Sequence, residues 1–100
     1  MRIVSDRDRI EIEMAIEVKG KTGQEFIVAV SEKGAKTEHT VALDEEYYKK
    51  LTQERISKEE LIKRSFEFLL KREQKESILS RFNLRVISNY FPEFEEEIKI

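Results

Sequence analysis

The chain has 100 residues, and 40% of them are charged, but 19 basic and 21 acidic side chains nearly cancel to a formal net charge of −2. This length suits a single domain over residues 1–100 with a core of its own, and the balance of charge argues against a protein that binds nucleic acid mainly by electrostatics. The absence of cysteine excludes disulfides, thiolate catalysis and cysteinyl zinc sites, and a single histidine leaves too few nitrogen ligands for a histidine-rich metal site.

The composition also bears on the compartment in which the protein works. Abundant Glu, Lys and Arg without cysteine resembles the usage of thermophile proteins. No apolar run approaches the roughly 20 residues of a membrane-spanning helix, and the first residues do not form a secretory signal pattern. We therefore expect a cytoplasmic protein with no membrane contact.

The first half of the chain is predicted to form strands. Apolar and polar residues alternate over 10–19, which is typical of a half-buried strand. Residues 25–31 contain a continuous apolar run and predict a central strand that is covered on both faces or shares one face with a partner chain. Residues 37–43 predict a third strand, with an inward set of Thr37, His39, Val41 and Leu43.

Polar turns with glycine connect these strands, at 19–24 and 31–34. Short turns between consecutive strands favour an antiparallel meander. The segment Met1–Val4 is predicted to add an edge strand, so that the meander has three to four strands in all.

The second half of the chain is predicted to be helical. Asp44 caps a short helix over 45–51, and Ser57 opens a long amphipathic helix over about 58–73, where Ser57 and Glu60 satisfy each other's backbone amides in a capping box. A single helical turn over 77–82 follows.

Two short helices are predicted to end the chain. Asn83 caps the first of them, which Pro92 terminates. The last helix places Phe94 and Ile98 on one face, and the whole pattern predicts one α+β domain.

Few residues suit catalysis. His39 lies on the inward face of a predicted strand, where a histidine is more often a satisfied core or interface residue than a general base. The stretch Gly20-Lys21-Thr22-Gly23 resembles part of a phosphate loop but lacks its spacing, and we interpret it as a turn. Neighbouring carboxylates are interpreted as solvated surface groups: Glu11 with Glu13, Glu45 with Glu46, and Glu95 through Glu97. We predict no catalytic residue, no metal site, no cofactor and no identifiable small-molecule ligand.

Aromatic and apolar side chains supply a candidate surface for a protein partner. They lie in the apolar strand and near the ends of the predicted helices, where they also suit packing against the sheet. The candidate interface residues are Phe26, Val28, Val30, Tyr47, Tyr48, Tyr90, Phe91 and Phe94.

Residues 38–72 resemble a ribbon-helix-helix DNA-binding module, with a short strand that ends at Leu43, a capped helix, a turn and a second helix that starts after Ser57. In that family two strands pair across a dimer and enter the major groove, while amides at the start of the second helix hold phosphate. The resemblance implies DNA contacts from Lys36, Thr40, Ser57 and Lys58.

A second resemblance, to a group of short uncharacterised prokaryotic proteins, covers most of the C-terminal half. It implies a stand-alone chain of this length and no established activity. The shared pattern is Ser65-Phe66-Glu67-Phe68-Leu69-Leu70-Lys71-Arg72-Glu73, then Glu76-Ser77-Ile78-Leu79, then Tyr90-Phe91-Pro92-Glu93-Phe94-Glu95.

From the sequence we therefore expect a small α+β protein that is not an enzyme and that acts through association with a protein partner or with itself, as a homo-oligomer. Self-association through the strand from Phe26 to Val30, or through an exposed strand edge, is the specific expectation. The alternative is a DNA-binding regulator of the ribbon-helix-helix kind.

Overall fold

A computed structural model describes residues 14–99 of the chain. This part is an α+β fold, as predicted. In chain order its elements are β1 (Ala15–Gly20), β2 (Glu25–Glu32), β3 (Ala35–Ala42), α1 (Glu45–Thr52), α2 (Lys58–Leu70), a 3₁₀ turn (Lys75–Ser77), β4 (Arg81–Asn83), α3 (Val86–Tyr90) and α4 (Phe94–Ile98). The strand predicted at Met1–Val4 and the first part of the strand predicted at 10–19 lie outside the described residues.

The first three strands form the predicted antiparallel meander. β2 is central, with Val28 opposite Val18 on one side and opposite His39 on the other. The turn between β2 and β3 places Lys33 and Gly34 at φ 52° and 82°. Positive φ at both central residues matches the twist of the flanking strands, which explains why a glycine occupies the second position.

The fourth strand differs from the prediction. Residues 77–82 do not form a helical turn, because the 3₁₀ turn ends at Ser77 and β4 pairs with β3 in parallel, with Val41 opposite Phe82. The sheet is therefore mixed, in the order β1-β2-β3-β4. The chain crosses over through α1 and α2 between β3 and β4, and such a connection returns a strand in the parallel direction. Three residues are too few to show the alternation of a strand in the sequence.

The two faces of the sheet differ in burial within the described residues. On β2, Phe26, Val28 and Val30 are buried, whereas Ile27 and Ala29 on the opposite face are half-buried. We call the second face the open face, and it also carries Glu17, Lys19 and Glu38. The predicted inward set of β3 is confirmed, since His39, Val41 and Leu43 are buried and Thr37 is half-buried.

The helices supply the core that covers the other face. Their buried side chains form one cluster with the inward residues of the sheet, and each large apolar side chain that is fully buried stabilises the fold by about 1.5–3 kcal/mol. The helix residues of the cluster include Tyr47, Leu51, Leu61, Ile62, Phe66, Leu69, Ile87, Phe94 and Ile98.

Both predicted helix starts are confirmed at their caps. Asp44 Oδ1 accepts from the Tyr47 amide at 2.8 Å, and Ser57 Oγ accepts from the Glu60 amide at 3.0 Å. The bond from the Glu60 amide to Ser57 is the first half of the predicted capping box. The Glu60 carboxylate instead accepts from Arg64 Nε at 3.0 Å, which replaces the second half. Each such cap is worth about 1 kcal/mol.

The long helix ends at Leu70 rather than at the predicted residue 73. The amides of Arg72 and Glu73 both donate to the carbonyl oxygen of Leu69, at 2.9 and 2.8 Å, and this closes the last turn. The guanidinium of Arg72 turns back to donate to the Phe68 carbonyl at 2.9 Å and lies 3.6 Å from the centre of the Phe68 ring. These local bonds replace the helical pattern that the charged run 71–73 suggested.

The two short C-terminal helices are present, but the predicted cap of the first one is wrong. α3 begins at Val86 with Arg85 as its N-cap and without a side-chain cap, whereas Asn83 Oδ1 accepts from the Arg85 amide at 2.9 Å in the turn before it. α3 stops short of Pro92, as predicted. Phe94 and Ile98 of α4 are both buried.

Candidate functional site

His39 is a buried residue with a structural role. It is 3% exposed, its Nδ1 lies 2.8 Å from the carbonyl oxygen of Leu79, and its Nε2 lies 2.9 Å from Thr37 Oγ1. A carbonyl oxygen can only accept, so we assign a proton to Nδ1, and the Thr37 hydroxyl is the hydrogen-bond partner of Nε2. The ring packs against Phe66, with 5.3 Å between centroids. The interpretation as a satisfied core histidine is confirmed.

The glycine stretch from Gly20 to Gly23 is a turn, as interpreted from the sequence. It connects β1 to β2, and the amides of Lys21 and Thr22 both donate to the carbonyl oxygen of Glu25, at 2.8 and 3.2 Å. A phosphate loop instead joins a strand to a helix and turns its amides toward the ligand. The geometry of this stretch therefore serves the hairpin.

A polar network joins α1 to α3 and α4. Arg85 donates to both carboxylate oxygens of Asp44 at 2.8 and 2.9 Å, and its guanidinium lies 4.6 Å from the Tyr47 ring centre. The hydrogen bond from Arg85, followed by that from the Tyr47 amide, lowers the pKa of Asp44 to about 2.

Tyr47 completes this network. Its hydroxyl donates to Glu95 at 2.9 Å. Burial and then the bond to Glu95 raise the pKa of Tyr47, and the same bond lowers the pKa of Glu95. Neither Tyr47 nor Asp44 titrates near neutral pH, where a general acid or base is most effective. The network stabilises the packing of the helices.

The structure separates the eight candidate interface residues into two groups. Six of them are buried in the chain's own core, where a partner cannot reach them: Phe26, Val28, Val30, Tyr47, Tyr48 and Phe94. Their side chains lie on the covered face of the sheet or on the inner faces of the helices. Tyr90 is exposed and Phe91 is half-buried against the core, so the interface hypothesis now rests on these two.

Tyr90 and Phe91 line an apolar groove of about 170 Å³, which we call the C-terminal groove. The end of α2, the segment after the 3₁₀ turn, β4 and α3 form its walls. Its lining is almost entirely apolar, with Glu73 as the one charged residue. The lining residues are Leu69, Glu73, Ser77, Ile78, Leu79, Phe82, Val86, Ile87, Tyr90 and Phe91.

Two exposed apolar side chains mark the rim of the C-terminal groove. Leu79 is 47% exposed and Tyr90 is 66% exposed, and they are the large apolar side chains that stand out from the surface among residues 14–99. Isolated exposed apolar residues are normal, whereas these two lie together on one groove and form an apolar surface patch. Tyr90 is a predicted interface residue, whereas Leu79 falls in the segment that was predicted to be a helical turn and was not among the candidates.

Charged residues lie beside this groove. Within residues 14–99, no Lys or Arg forms an ion pair with the Glu73 carboxylate. Lys75 is 5% exposed and its Nζ lies 2.9 Å from Glu76 and 3.8 Å from Glu32. The hydrogen bond from Lys75 lowers the pKa of Glu76. Lys75 thereby anchors the start of the groove wall to the end of β2.

The candidate DNA contacts do not form one surface of the ribbon-helix-helix kind. β3, which carries Lys36 and Thr40, pairs with β2 along one edge and with β4 along the other. β4 covers this second edge at residues 40–42, so that end of β3 cannot pair with a strand of a second chain as the module requires. Lys58 pairs with Glu45 at 2.6 Å, and the Ser57 hydroxyl already caps α2.

Residues 14–99 contain no group of three or more His, Asp or Glu side chains placed to hold a metal ion. The helices in this part of the chain are also too short or too polar to cross a membrane.

Comparisons with known proteins were made for the whole chain. No protein-family model matches it, and no curated protein or solved structure matches it either. Its function is therefore argued from its own residues.

Proposed function

We propose that this chain is a non-enzymatic protein-association domain, and that the C-terminal groove binds an apolar anchor side chain from a short segment of a partner protein. The observation that carries the proposal is the position of Leu79 and Tyr90, two exposed apolar side chains on the rim of one apolar groove. Aromatic residues at the centre of such a surface commonly supply most of the binding energy.

The size of the groove favours a side chain as its occupant. Pockets for cofactors and drug-sized ligands usually have volumes of about 300–1,000 Å³, whereas the C-terminal groove has about 170 Å³. An apolar cavity of about 150 Å³ holds one benzene ring. The groove therefore matches one Phe, Leu or Met side chain, presented by a peptide segment.

The negative charge of Glu73 indicates which residues the partner segment carries. Glu73 is half-buried in the lining, among apolar side chains that include Leu69 and Phe91. A carboxylate that is partly shielded from water attracts a cation more strongly than a fully exposed one does. We therefore expect the partner segment to carry a Lys or Arg next to its apolar anchor.

Selection from a random peptide library against the whole chain tests this proposal. Peptides that bind are expected to combine an apolar anchor with a neighbouring Lys or Arg. Synthetic copies should bind Leu79→Asp at least about tenfold more weakly than wild type, because a charge on the rim opposes burial of the anchor. Thr22→Asp adds the same charge on an exposed loop, and it should bind as wild type does.

A second substitution tests the charge preference. Glu73→Gln should weaken basic peptides about threefold to tenfold and should have no effect on a peptide whose basic residue is replaced by Ala, because the pair is then already broken. Peptides that bind wild type, Leu79→Asp and Glu73→Gln equally would show that the groove is not the binding surface and would overturn the proposal.

A further inference from the structure

The sheet has two edges of different character. Within residues 14–99, β4 forms one edge with three residues, next to residues 35–39 of β3, which β4 does not cover. β1 forms the other edge with six residues. β1 pairs with β2 from Ala15 to Gly20 without a bulge, and it contains no proline. Bulges, prolines, very short strands and charged side chains are the usual protection of a sheet edge. β4 is protected by its shortness, whereas β1 has only the charges of Glu17 and Lys19.

The hydrogen bonds of the hairpin show which residues face this edge. Lys21 donates its amide to Glu25 of β2, and backbone groups alternate in direction along a strand. Glu17 and Lys19 therefore turn their amide and carbonyl groups toward β2. Ile16, Val18 and Gly20 turn theirs outward, and no residue within 14–99 pairs with them.

The side chains of β1 distinguish the ways in which a second copy can pair with this edge. Pairing two identical antiparallel strands about Glu17 places two glutamates opposite each other, and pairing about Lys19 places two lysines opposite each other. Like charges directly opposite are destabilising. Pairing about Ile16 leaves Glu17 opposite Ala15, without a partner of opposite charge, and carries Lys19 past the described end of β1.

Pairing about Val18 satisfies both charges. It places Glu17 opposite Lys19 of the second copy twice, by symmetry, and both residues are exposed on the open face. These are non-hydrogen-bonded positions, where Cα atoms lie about 4.5 Å apart and side chains are closest. Val18 lies opposite Val18 and Ile16 lies opposite Gly20, all with outward backbone groups, so the two strands share a regular ladder.

We infer that the chain forms a homodimer in which β1 pairs antiparallel with β1 of a second copy about Val18, and that the Glu17–Lys19 pairs set this register. In the dimer, the four strands described in each copy join into one continuous sheet. The C-terminal groove contacts β4, at the opposite edge of the sheet, and both grooves remain open. The inference is therefore independent of the proposed function of the groove.

Single cysteines test the register, because the chain has no native cysteine. Val18→Cys places two sulfurs across a hydrogen-bonded pair whose Cα separation, about 5.5 Å, suits a disulfide. Mild oxidation with oxidised glutathione should convert Val18→Cys to a covalent dimer, whereas Ile16→Cys, opposite Gly20, should remain largely monomeric on a non-reducing gel. Equal cross-linking of the two variants, or none of either, overturns the inference.

Exchanging the charges tests the Glu17–Lys19 pairs. The dimer affinity of each variant is measured by sedimentation velocity at low salt. Glu17→Lys should weaken the dimer about tenfold, because two attractive pairs become repulsive. The double variant Glu17→Lys/Lys19→Glu should restore the affinity to within about threefold. Both positions are exposed, and circular dichroism checks that each variant folds. A dimer that Glu17→Lys leaves unchanged, or that Leu79→Asp disrupts instead, contradicts the inference.

Discussion

The imidazole of His39 and the backbone carbonyl of Leu79 lie 2.8 Å apart, although the two residues are 40 positions apart in the chain. This bond joins the segment after the 3₁₀ turn to the middle of the sheet. Leu79 also forms the exposed rim of the C-terminal groove. The histidine therefore positions part of the proposed binding surface through the backbone, and its own ring stays in the core.

Substitution of His39 by Leu should destabilise the chain by about 1–3 kcal/mol. Leu replaces the volume but leaves the carbonyl of Leu79 without its donor inside the protein. Urea unfolding measures the change in the free energy of unfolding. Thr37→Val is the comparison, because it removes the half-buried hydrogen-bond partner of His39 Nε2, which water can replace, and it should destabilise the chain less than His39→Leu does. Equal stability of His39→Leu and wild type would show that the bond contributes nothing.

The pair between Asp44 and Arg85 should make stability depend on pH in acid. The pKa of Asp44 is about 2 in the folded chain and about 3.9 in an unfolded one. A lowered pKa means that the stabilisation is complete above pH 4 and is lost as the pH falls through 2.

Asp44→Asn keeps a capping oxygen but removes the charge, so it isolates this effect. It should be about 1 kcal/mol less stable than wild type at pH 7, a value limited by the solvent exposure of the pair. The difference should shrink between pH 4 and pH 2 in thermal unfolding. Glu38→Gln, at an exposed pair of 4.0 Å with Lys36, serves as the control. A difference for Asp44→Asn that is constant down to pH 2 would contradict the account.

Replacing Lys75 by an apolar residue should destabilise the chain less than removing the charges of its two partners. Its side chain is buried, but Glu32 and Glu76 are partly exposed and remain solvated when the lysine is removed. Lys75→Met should therefore change the free energy of unfolding by less than about 1 kcal/mol, whereas Glu32→Gln/Glu76→Gln leaves a buried ammonium without a counter-charge and should cost more. The reverse order in urea unfolding would refute this reasoning.

Replacement of Gln53 by glycine should stabilise the chain. It ends α1 in the left-handed region, with φ 53° and ψ 30°, and an L side chain is strained there. Gln53→Gly should raise the free energy of unfolding by about 0.5–1 kcal/mol. Gln74→Gly, at a residue with φ −76°, is the matched control and should be neutral or destabilising. A loss of stability in Gln53→Gly would contradict the assignment.

The local patterns of the chain predicted most of the helices and strands. Alternation identified β1 and β3, and the caps at Asp44 and Ser57 fixed the starts of α1 and α2. These signals depend on neighbours in sequence, which a sequence shows directly. β4 escaped because its three residues acquire strand geometry from their pairing with β3, a contact between distant parts of the chain.

The C-terminal groove could not be predicted in full, because it too depends on contacts between distant parts of the chain. Tyr90 and Phe91 were expected at an interface, but the sequence does not show that Leu79 is brought beside them, since this depends on the crossover to β4 and on the bond from His39. Conversely, Phe26 and Val28 were assigned to an interface from their apolar run. The helices that cover them could not be placed without the tertiary contacts.

Amide NMR of the labelled chain, titrated with a peptide from the library selection, tests the central claim most directly. The claim is that the C-terminal groove binds an apolar anchor of a partner. The account predicts that the largest shift changes fall at residues 77–79 and 86–91, and that Leu79→Asp abolishes them. Shift changes centred on Ile27 and Ala29 of the open face, or changes that persist in Leu79→Asp, would contradict it.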